Sequence, residues 1–353
     1  MRIGFNVTPF QGGHSVRGIG SYTRNLLEEL KKTDLEIVEF TDPNKISDVD
    51  LIYYPWFDLF FRTLRIGKIP TVVMVHDSMP LIFPKAYPSG IKGKINLIFQ
   101  RRELKKAKLI VTNSETSKKD ISKYLGINKD KIFTIPLAAG SEFRVLPEAD
   151  KKKTKVKYNL PDQFLLYVGD ANYVKNLPFL IKGFKEVKET NKFKDFKLVL
   201  VGGAFLNRDL NHPELASLQE VHELVKKNGL EAVVMMPGQI GISDLVGFYN
   251  LASLYIQPSL YEGFGIPVLE AMQCNCPVLC SDGGSLPEVG GKAVEYFDPV
   301  NLGELVSKMV TVLTDQELRS KLAKKGFKQA EKFSWSITAK ETINVFKKTL
   351  DAE

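Results

Sequence analysis

The stretch "SLYIQPSLYEGFGIPVLEAMQCNCPVLCSD", residues 253–282, runs from an apolar segment through a glycine-rich turn and a proline-led segment into a second apolar run. The runs at 253–259 and 277–282 read as short buried strands. Between them Gly263 and Gly265 weaken helix. Pro267 suits a first helical position, because the N–H it lacks has no partner there in any case. The expectation is a loop through Ile266 and a helix opening at Pro267, with Glu270 in its first turn. Strand, crossover helix, strand is the repeating unit of a parallel sheet. The start of such a helix offers unpaired N–H groups and the positive end of its dipole, a seat for phosphate. Two carboxylates, Glu262 and Glu270, bracket the turn. They suit phosphate poorly and hydroxyl groups well. A ligand carrying both phosphate and sugar follows.

The same alternation extends outward. Strands are expected at 164–170, 196–203 and 232–238 in the second half, with a helix at 177–184. In the first half they are expected at 2–7, 36–40, 51–54, 70–76, 109–112 and 132–135, with helices at 19–31, 91–105 and 114–125. The stretch "LPEADKKKTKVKYNLP", 146–161, is charged, poor in apolar residues and holds Pro147 and Pro161, so it is the expected linker. The reading is an α/β protein of two Rossmann-like, doubly wound domains facing each other across a cleft. The first spans 1–155 and the second 156–336, with a C-terminal helix at about 337–353 packing back on the first. Ligands in such sheets gather at the carboxyl ends of the strands.

Composition bounds the function classes. The 353 residues are 44% hydrophobic and 25% charged, ordinary for a soluble globular protein. "MRIGFNVTPF" begins like a buried strand rather than a signal peptide, and no run approaches the length of a membrane span. Cys274, Cys276 and Cys280 are odd in number and poorly spaced for zinc, and read as small buried thiols in a reducing cytoplasm. Four histidines without an H-x3-H pair offer no metal site. The net charge of +8 is uneven: residues 1–150 carry 23 Lys and Arg against 17 Asp and Glu, the remainder 26 against 24. A basic first half suggests an acidic partner. Nucleic acid is not expected, since no basic motif interleaved with aromatics supports it.

Three further pieces bear on a phosphate-bearing ligand. "GGHSVRGIGSYTRNLLEEL", 12–30, puts Gly18 and Gly20 where a backbone can approach a diphosphate at a helix start, although the spacing is not G-x-G-x-x-G and an ordinary strand-to-helix turn also accounts for it. "VVMVHDSMP" places His76 and Asp77 just past a strand, either to reach a ligand or as satisfied structural residues. Lys175 precedes the helix at 177–184, as a point charge for phosphate or a solvated lysine.

In this order the pieces resemble retaining glycosyltransferases of family 4, whose two-Rossmann-domain architecture is called GT-B. The segments "RGIGSYTRNLLEEL", "VHDSMPLIFPKAYP", "VTNSETSKKDI", "LLYVGDANYVKNLPFLIKGF", "PSLYEGFGIPVLEAM" and "SDGGSLPEVGGKAVEYFDP" carry the resemblance, above all the E-x7-E pattern from Glu262 to Glu270. "GIGSYTR" and "HDSMP" are similar to segments of bacterial and archaeal mannosyltransferases of surface glycans. The resemblance implies a role for each position. Glu270 would bind the ribose hydroxyls of a nucleotide donor. Glu262, with the loop Gly263, Phe264, Gly265 and Ile266, would hold hydroxyls of the hexose. Gly18 and Gly20 would meet the diphosphate, and Lys175 would offset its charge. His76 would lie near the sugar's outer hydroxyls, and the base against Gly238, Gln239 and Ile240. Glu262, Lys175 and His76 are the expected catalytic set.

The implied reaction is metal-independent, retaining transfer of a hexose, mannose by preference, from a nucleoside-diphosphate sugar such as GDP-mannose to a glycan or lipid-linked acceptor. No cofactor is implied. The chain departs from the family at Asp170 and Val174, where relatives carry an arginine, so the clamp rests on Lys175 or borrows Arg17 or Arg24. A sugar-nucleotide epimerase of the same fold and a non-catalytic nucleotide-sugar binder are the rival readings. The segment 91–108 holds seven Lys and Arg against Glu103, with Ile91, Ile95, Ile98 and Phe99 on one helical face. It reads either as a basic amphipathic helix on an anionic membrane surface, at the inner face of the cell membrane, or as a helix docked on the sheet with a solvated basic face.

Overall fold

Apolar β-branched runs become parallel strands twice over in the structure, a computed structural model that describes residues 1–11, 18–207 and 215–351. Two units result: 1–138 with 333–353, and 139–332.

The first unit begins β1 (Arg2–Asn6), α1 (Gly18–Leu30), β2 (Glu36–Phe40), β3 (Leu51–Tyr54) and β4 (Thr71–Met74). It continues α2 (Met79–Ile82), α3 (Gly90–Lys106), β5 (Leu109–Thr112), α4 (Glu115–Asp120) and β6 (Ile132–Thr134). Its sheet runs β2-β1-β3-β4-β5-β6, every pair parallel. β3, β4 and β5 are buried at every position, as expected of strands covered on both faces. Ser114 starts α4 by accepting the Ser117 N–H (3.0 Å), and a π turn carries the helix on to Leu125.

The second unit holds α5 (Glu148–Lys157), β7 (Phe164–Val168), α6 (Leu177–Glu189), β8 (Lys197–Val201), α7 (Ala216–Lys227), β9 (Val234–Gly238) and α8 (Ile242–Leu251). Then come β10 (Leu254–Gln257), α9 (Ile266–Gln273), β11 (Val278–Ser281), α10 (Leu286–Gly290), β12 (Glu295–Phe297), α11 (Leu302–Thr314) and α12 (Gln316–Ala330). Its parallel sheet runs β12-β11-β10-β7-β8-β9. From β7 the chain builds outward to β9, then crosses back to β10 and builds the other way. β7 and β10 are therefore neighbours whose connections leave in opposite directions, the switch point at which such sheets bind ligands. Fully buried Leu165, Leu180, Phe184, Leu198 and Ile256 join the core beneath it, each contributing roughly 1.5–3 kcal/mol of apolar burial. The last helix, α13 (Trp335–Asp351), belongs with the first unit. Phe346 lies on Tyr53 (ring centroids 5.2 Å), and the Thr338 hydroxyl donates to the Pro136 carbonyl (2.7 Å).

Two expectations are corrected here. The stretch 146–161 is not a linker, and the division falls after Ala138 rather than at 155. The lysines of α5 face water, but its other side packs on α8: the Tyr158 ring lies 5.0 Å from Phe248, and Lys157 and the Tyr158 hydroxyl both donate to Asp244 (2.7 and 2.8 Å). α3 meets the core through Leu97 and Leu104 rather than through its isoleucines. It buries Gly93, Asn96, Gln100 and Leu104 and exposes Ile91, Ile95, Ile98 and Phe99. Its polar side chains serve the 58–66 loop: the Asn96 amide donates to the Phe60 carbonyl (2.9 Å), the Gln100 amide to the Asp58 carbonyl (2.9 Å), and Glu103 accepts the Ile66 N–H (2.8 Å).

Candidate functional site

The carboxyl ends of β7 and β10 bring Lys175 and Glu262 together. Past β7 the chain makes a short turn, Tyr173–Lys175, and Asn176 takes a left-handed conformation (φ 56°) to open α6. The Asn176 amide donates to the carbonyls of Pro258 (3.1 Å) and Pro299 (2.9 Å), and the Leu260 N–H donates to the Val174 carbonyl (2.7 Å). The turn is thereby tied to the exit of β10. Lys175 Nζ lies 2.7 and 2.9 Å from the two oxygens of Glu262, and both side chains are largely buried (18% and 9% exposed). Two more donors reach Glu262 Oε1, the Gln257 amide and the Ser259 hydroxyl, each at 2.7 Å. Every polar side chain bonded to Glu262 in this cluster is a donor.

The loop beyond Glu262 is held from behind. Gly284 has φ +65°, and a Cβ there would stand 2.4 Å from the Glu262 carbonyl oxygen, so only glycine lets the 281–285 segment lie so close. Buried Ser285 donates its hydroxyl to the carbonyls of Glu262 and Phe264 (3.0 Å each). Gly265, at φ +107°, precedes α9. That helix opens at Ile266, one residue earlier than expected, with Pro267 still in the first turn, where the N–H it lacks would have had no partner. Glu270 is consequently its fifth residue and lies a turn inside the helix rather than in the first turn, a correction to the expected placement.

Glu270 accepts from the Tyr249 hydroxyl (2.8 Å). It keeps some access to solvent, yet enough protein surrounds its carboxyl to push the pKa up to about 7. Burial is the main cause; the Tyr249 hydrogen bond pulls the other way, and the Glu142 carboxylate adds to the rise. Tyr255 lies within electrostatic reach of both Glu262 and Glu270, and burial holds its hydroxyl well above the usual range.

Other expected positions fall elsewhere. Gly238 ends β9, accepting at its carbonyl the Gly202 N–H (3.0 Å); Gln239 is exposed and Ile240 half-buried in the loop before α8. In the first unit Gly18 and Gly20 lie inside the first turn of α1 rather than in a loop, with Gly20 buried. His76 stands two residues past β4. Its Nε2 lies 3.1 Å from the Pro55 carbonyl, which fixes Nε2 as the N–H, and the Tyr22 ring packs edge-on at 4.8 Å. Burial drives its pKa down to about 4 despite the Pro55 hydrogen bond, so the ring is neutral near pH 7, with Nδ1 as an acceptor.

The departures acquire a physical reading. Asp170 is exposed and its carboxylate accepts the Ala171 N–H (2.8 Å), while Val174 is fully buried as a core residue. Arg24 lies 5.9 Å from the Phe10 ring in the first unit, and Arg17 lies outside the described residues. Among the described residues no group of three or more His, Cys, Asp and Glu could hold a metal ion, and no helix is long and apolar enough to cross a membrane. The three cysteines are free and buried. Sequence reasoning missed Gln257, Ser259 and Tyr249. For Gln257 the signal was a primary amide in an otherwise apolar strand, which buries only with partners.

Comparison with known proteins fits this architecture. Sucrose-phosphate synthase from Thermosynechococcus elongatus shares the fold with a TM-score of 0.79, over 100% of both chains and at 18% identity. The fold is that of the GT-B glycosyltransferases. Residues 148–329 match the family model described as glycosyl transferases group 1 and residues 43–139 the one described as glycosyltransferase family 4, and the chain belongs to this glycosyltransferase family. It is 30% identical over 313 residues to the serotype-specific mannosyltransferase WbdA of Escherichia coli, covering 86% of this chain and 37% of WbdA. It is likewise 30% identical over 302 residues to O-antigen chain mannosyltransferase B of Escherichia coli, covering 84% of this chain and 74% of that protein. The chain thus spans little more than a third of the length of WbdA.

Proposed function

We propose that the protein transfers a hexose, mannose by preference, from a nucleoside-diphosphate sugar, GDP-mannose by preference, to a hydroxyl of a glycan or lipid-linked acceptor, with retention and without a bound metal. The observation that carries this reading is the Lys175–Glu262 pair at the switch point of the second sheet, with Glu270 a short loop further on. Breaking the bond between the anomeric carbon and the phosphate oxygen builds positive charge on the sugar and negative charge on the departing diphosphate. Lys175 and the N–H groups opening α9 are fixed donors for that negative charge. Glu262 accepts from hexose hydroxyls and Glu270 from the ribose diol. Neutral His76 exchanges hydrogen bonds with the sugar rather than delivering a proton. In a front-face reaction the acceptor oxygen bonds to the anomeric carbon as the phosphate leaves, and the acceptor's proton passes to a phosphate oxygen.

The acceptor reading draws on α3. A helix that docks through amides and turns isoleucines outward, among Lys92, Lys94, Arg101, Arg102, Lys105 and Lys106, suits the surface of an anionic bilayer. Phe61 of the adjoining loop is exposed as well. This reading puts the enzyme at work in the cytoplasm, on the inner membrane face. A thermal-shift screen against GDP, UDP and ADP sugars tests the donor, since a ligand of the native state raises its melting temperature. GDP-mannose is expected to give the largest shift; a UDP or ADP sugar in its place corrects the donor, and silence from all of them overturns the function. Flotation with anionic against neutral liposomes tests the surface. Binding confined to anionic vesicles and lost in Ile95→Glu is expected, and equal flotation with both vesicle types overturns it.

A further inference from the structure

Gln257 closes β10. It is buried, 1% exposed, beside Glu262. The Tyr255 hydroxyl donates to its Oε1. Its Nε2 donates to Ser259 Oγ and to Glu262 Oε1, both at 2.7 Å. Having accepted from the amide, Ser259 gives its own hydrogen to Glu262 Oε1 at 2.7 Å. The amide cannot be turned over: its oxygen would then face a carboxylate. Among the described residues Glu262 Oε1 therefore takes three donors, from Gln257, Ser259 and Lys175, while Oε2 takes Lys175 alone. Two carboxylate oxygens share about four acceptor sites. One is full, and the other has room.

We infer that Gln257 is a positioning residue, which fixes the Glu262 carboxylate so that Oε2 is the oxygen offered to a hydroxyl of the donor hexose. The inference rests on the donor-binding reading of Glu262. Gln257 touches no substrate and acts through its neighbour. The titratable groups around Gln257 and Glu262 are Lys175, Tyr255, Cys280 paired with Gln257 on β11, Glu270 on α9, and, from β7 and its exit, Tyr167 and Asp170.

Two variants test it, both checked by circular dichroism. Gln257→Leu keeps the bulk and removes the hydrogen bonds. It is expected to lower kcat roughly tenfold or more, the scale of a bond to a charged group, while the Kd for GDP stays within about twofold because the nucleotide does not meet Glu262. Gln257→Glu puts a second carboxyl against the first. Near pH 8 the two repel; near pH 5 a proton on the introduced carboxyl restores a donor toward Oε1. The rate of this variant relative to wild type is expected to climb as pH falls from 8 to 5, which a residue that only fills space does not produce. Should the leucine variant fail to fold, the pH ratio of the glutamate variant carries the test alone. Wild-type kcat in Gln257→Leu, or a flat ratio in Gln257→Glu, overturns the positioning role. Failure of the wild type to bind any of the GDP, UDP and ADP sugars overturns the donor reading beneath it, and is told apart by that binding step.

Discussion

The two units share a plan, six parallel strands with helices on both faces, and differ in what stands at the carboxyl ends of their strands. In the second unit those ends carry charge held by donors: Lys175 on Glu262, Gln257 and Ser259 behind it, Tyr249 on Glu270. In the first unit the described residues there mix acidic Asp42 and Asp77 with neutral aromatic and hydroxyl groups. His76 is uncharged, the Tyr22 and Tyr53 hydroxyls share a hydrogen bond (2.5 Å), and the Trp56 indole donates to Thr8 (3.0 Å). One scaffold thus supports two chemistries, because the strands set positions and only the residues past their ends set charge. The proposed recognition of a diphosphate belongs with the charged edge.

The sharpest way to break that contrast is to strip the charge from the second unit. Lys175→Ala is expected to lower transfer about a thousandfold, since it removes a preorganised cation from the departing diphosphate. It also leaves Glu262 buried without its counter-ion, at a cost of about 3–5 kcal/mol. Steady-state rates and chemical denaturation read the two effects, and near-wild-type turnover would remove the charged edge from the reaction.

A smaller effect comes from acid. Glu270 has a folded pKa near 7, above its ordinary 4.5. The fold therefore favours the protonated carboxyl, and the stability it contributes is present below pH 4.5 and lost as pH rises through 7. Glu270→Gln is expected to gain about 1–3 kcal/mol over wild type at pH 8 and little at pH 4.5, after allowance for solvent access. If the ionised carboxylate grips the ribose diol, nucleotide binding releases a proton below pH 7 and weakens by up to about tenfold per pH unit. Calorimetry in buffers of different ionisation enthalpy measures that proton, and its absence would detach Glu270 from the ribose.

The first unit answers acid in the opposite sense. His76 titrates near 4 when folded and near 6.5 otherwise. Its contribution is present above pH 6.5 and lost as pH falls through 4. The stability gap between wild type and His76→Gln is expected to shrink over that interval, by at most about 3 kcal/mol. A gap that holds constant in thermal melts would mean the ring is not buried as a neutral group.

Legibility in the sequence followed the same division. Runs such as "LIYY" and "FLLYV" are buried on both faces, so their apolar continuity alone marks them as strands. Lys175 and Glu262 were legible because glycine, proline and a carboxylate fall together at a strand exit. Their direct pairing was not, since it depends on Asn176 tying two loops that sequence holds far apart. Gln257 was passed over because the strand was read as buried without asking what partners its one buried amide would need. α5 was mistaken for a linker because its lysines outnumber the few groups, Thr154 and Tyr158 among them, that dock it. For α3 the sequence left two readings open, and what it could not show was that the 58–66 loop's backbone groups are met by amides of the helix, which leaves the isoleucines outward.

The return of α13 to the first unit has a consequence for synthesis. The second unit is one uninterrupted segment and can close as soon as it leaves the ribosome. The first, though begun earlier, waits for Phe346 to reach Tyr53 and Trp335 to reach Tyr22 (5.8 Å between rings). A growing chain thus carries an unsealed aromatic floor until α13 is made, and the first unit is sealed only after the second has been synthesised.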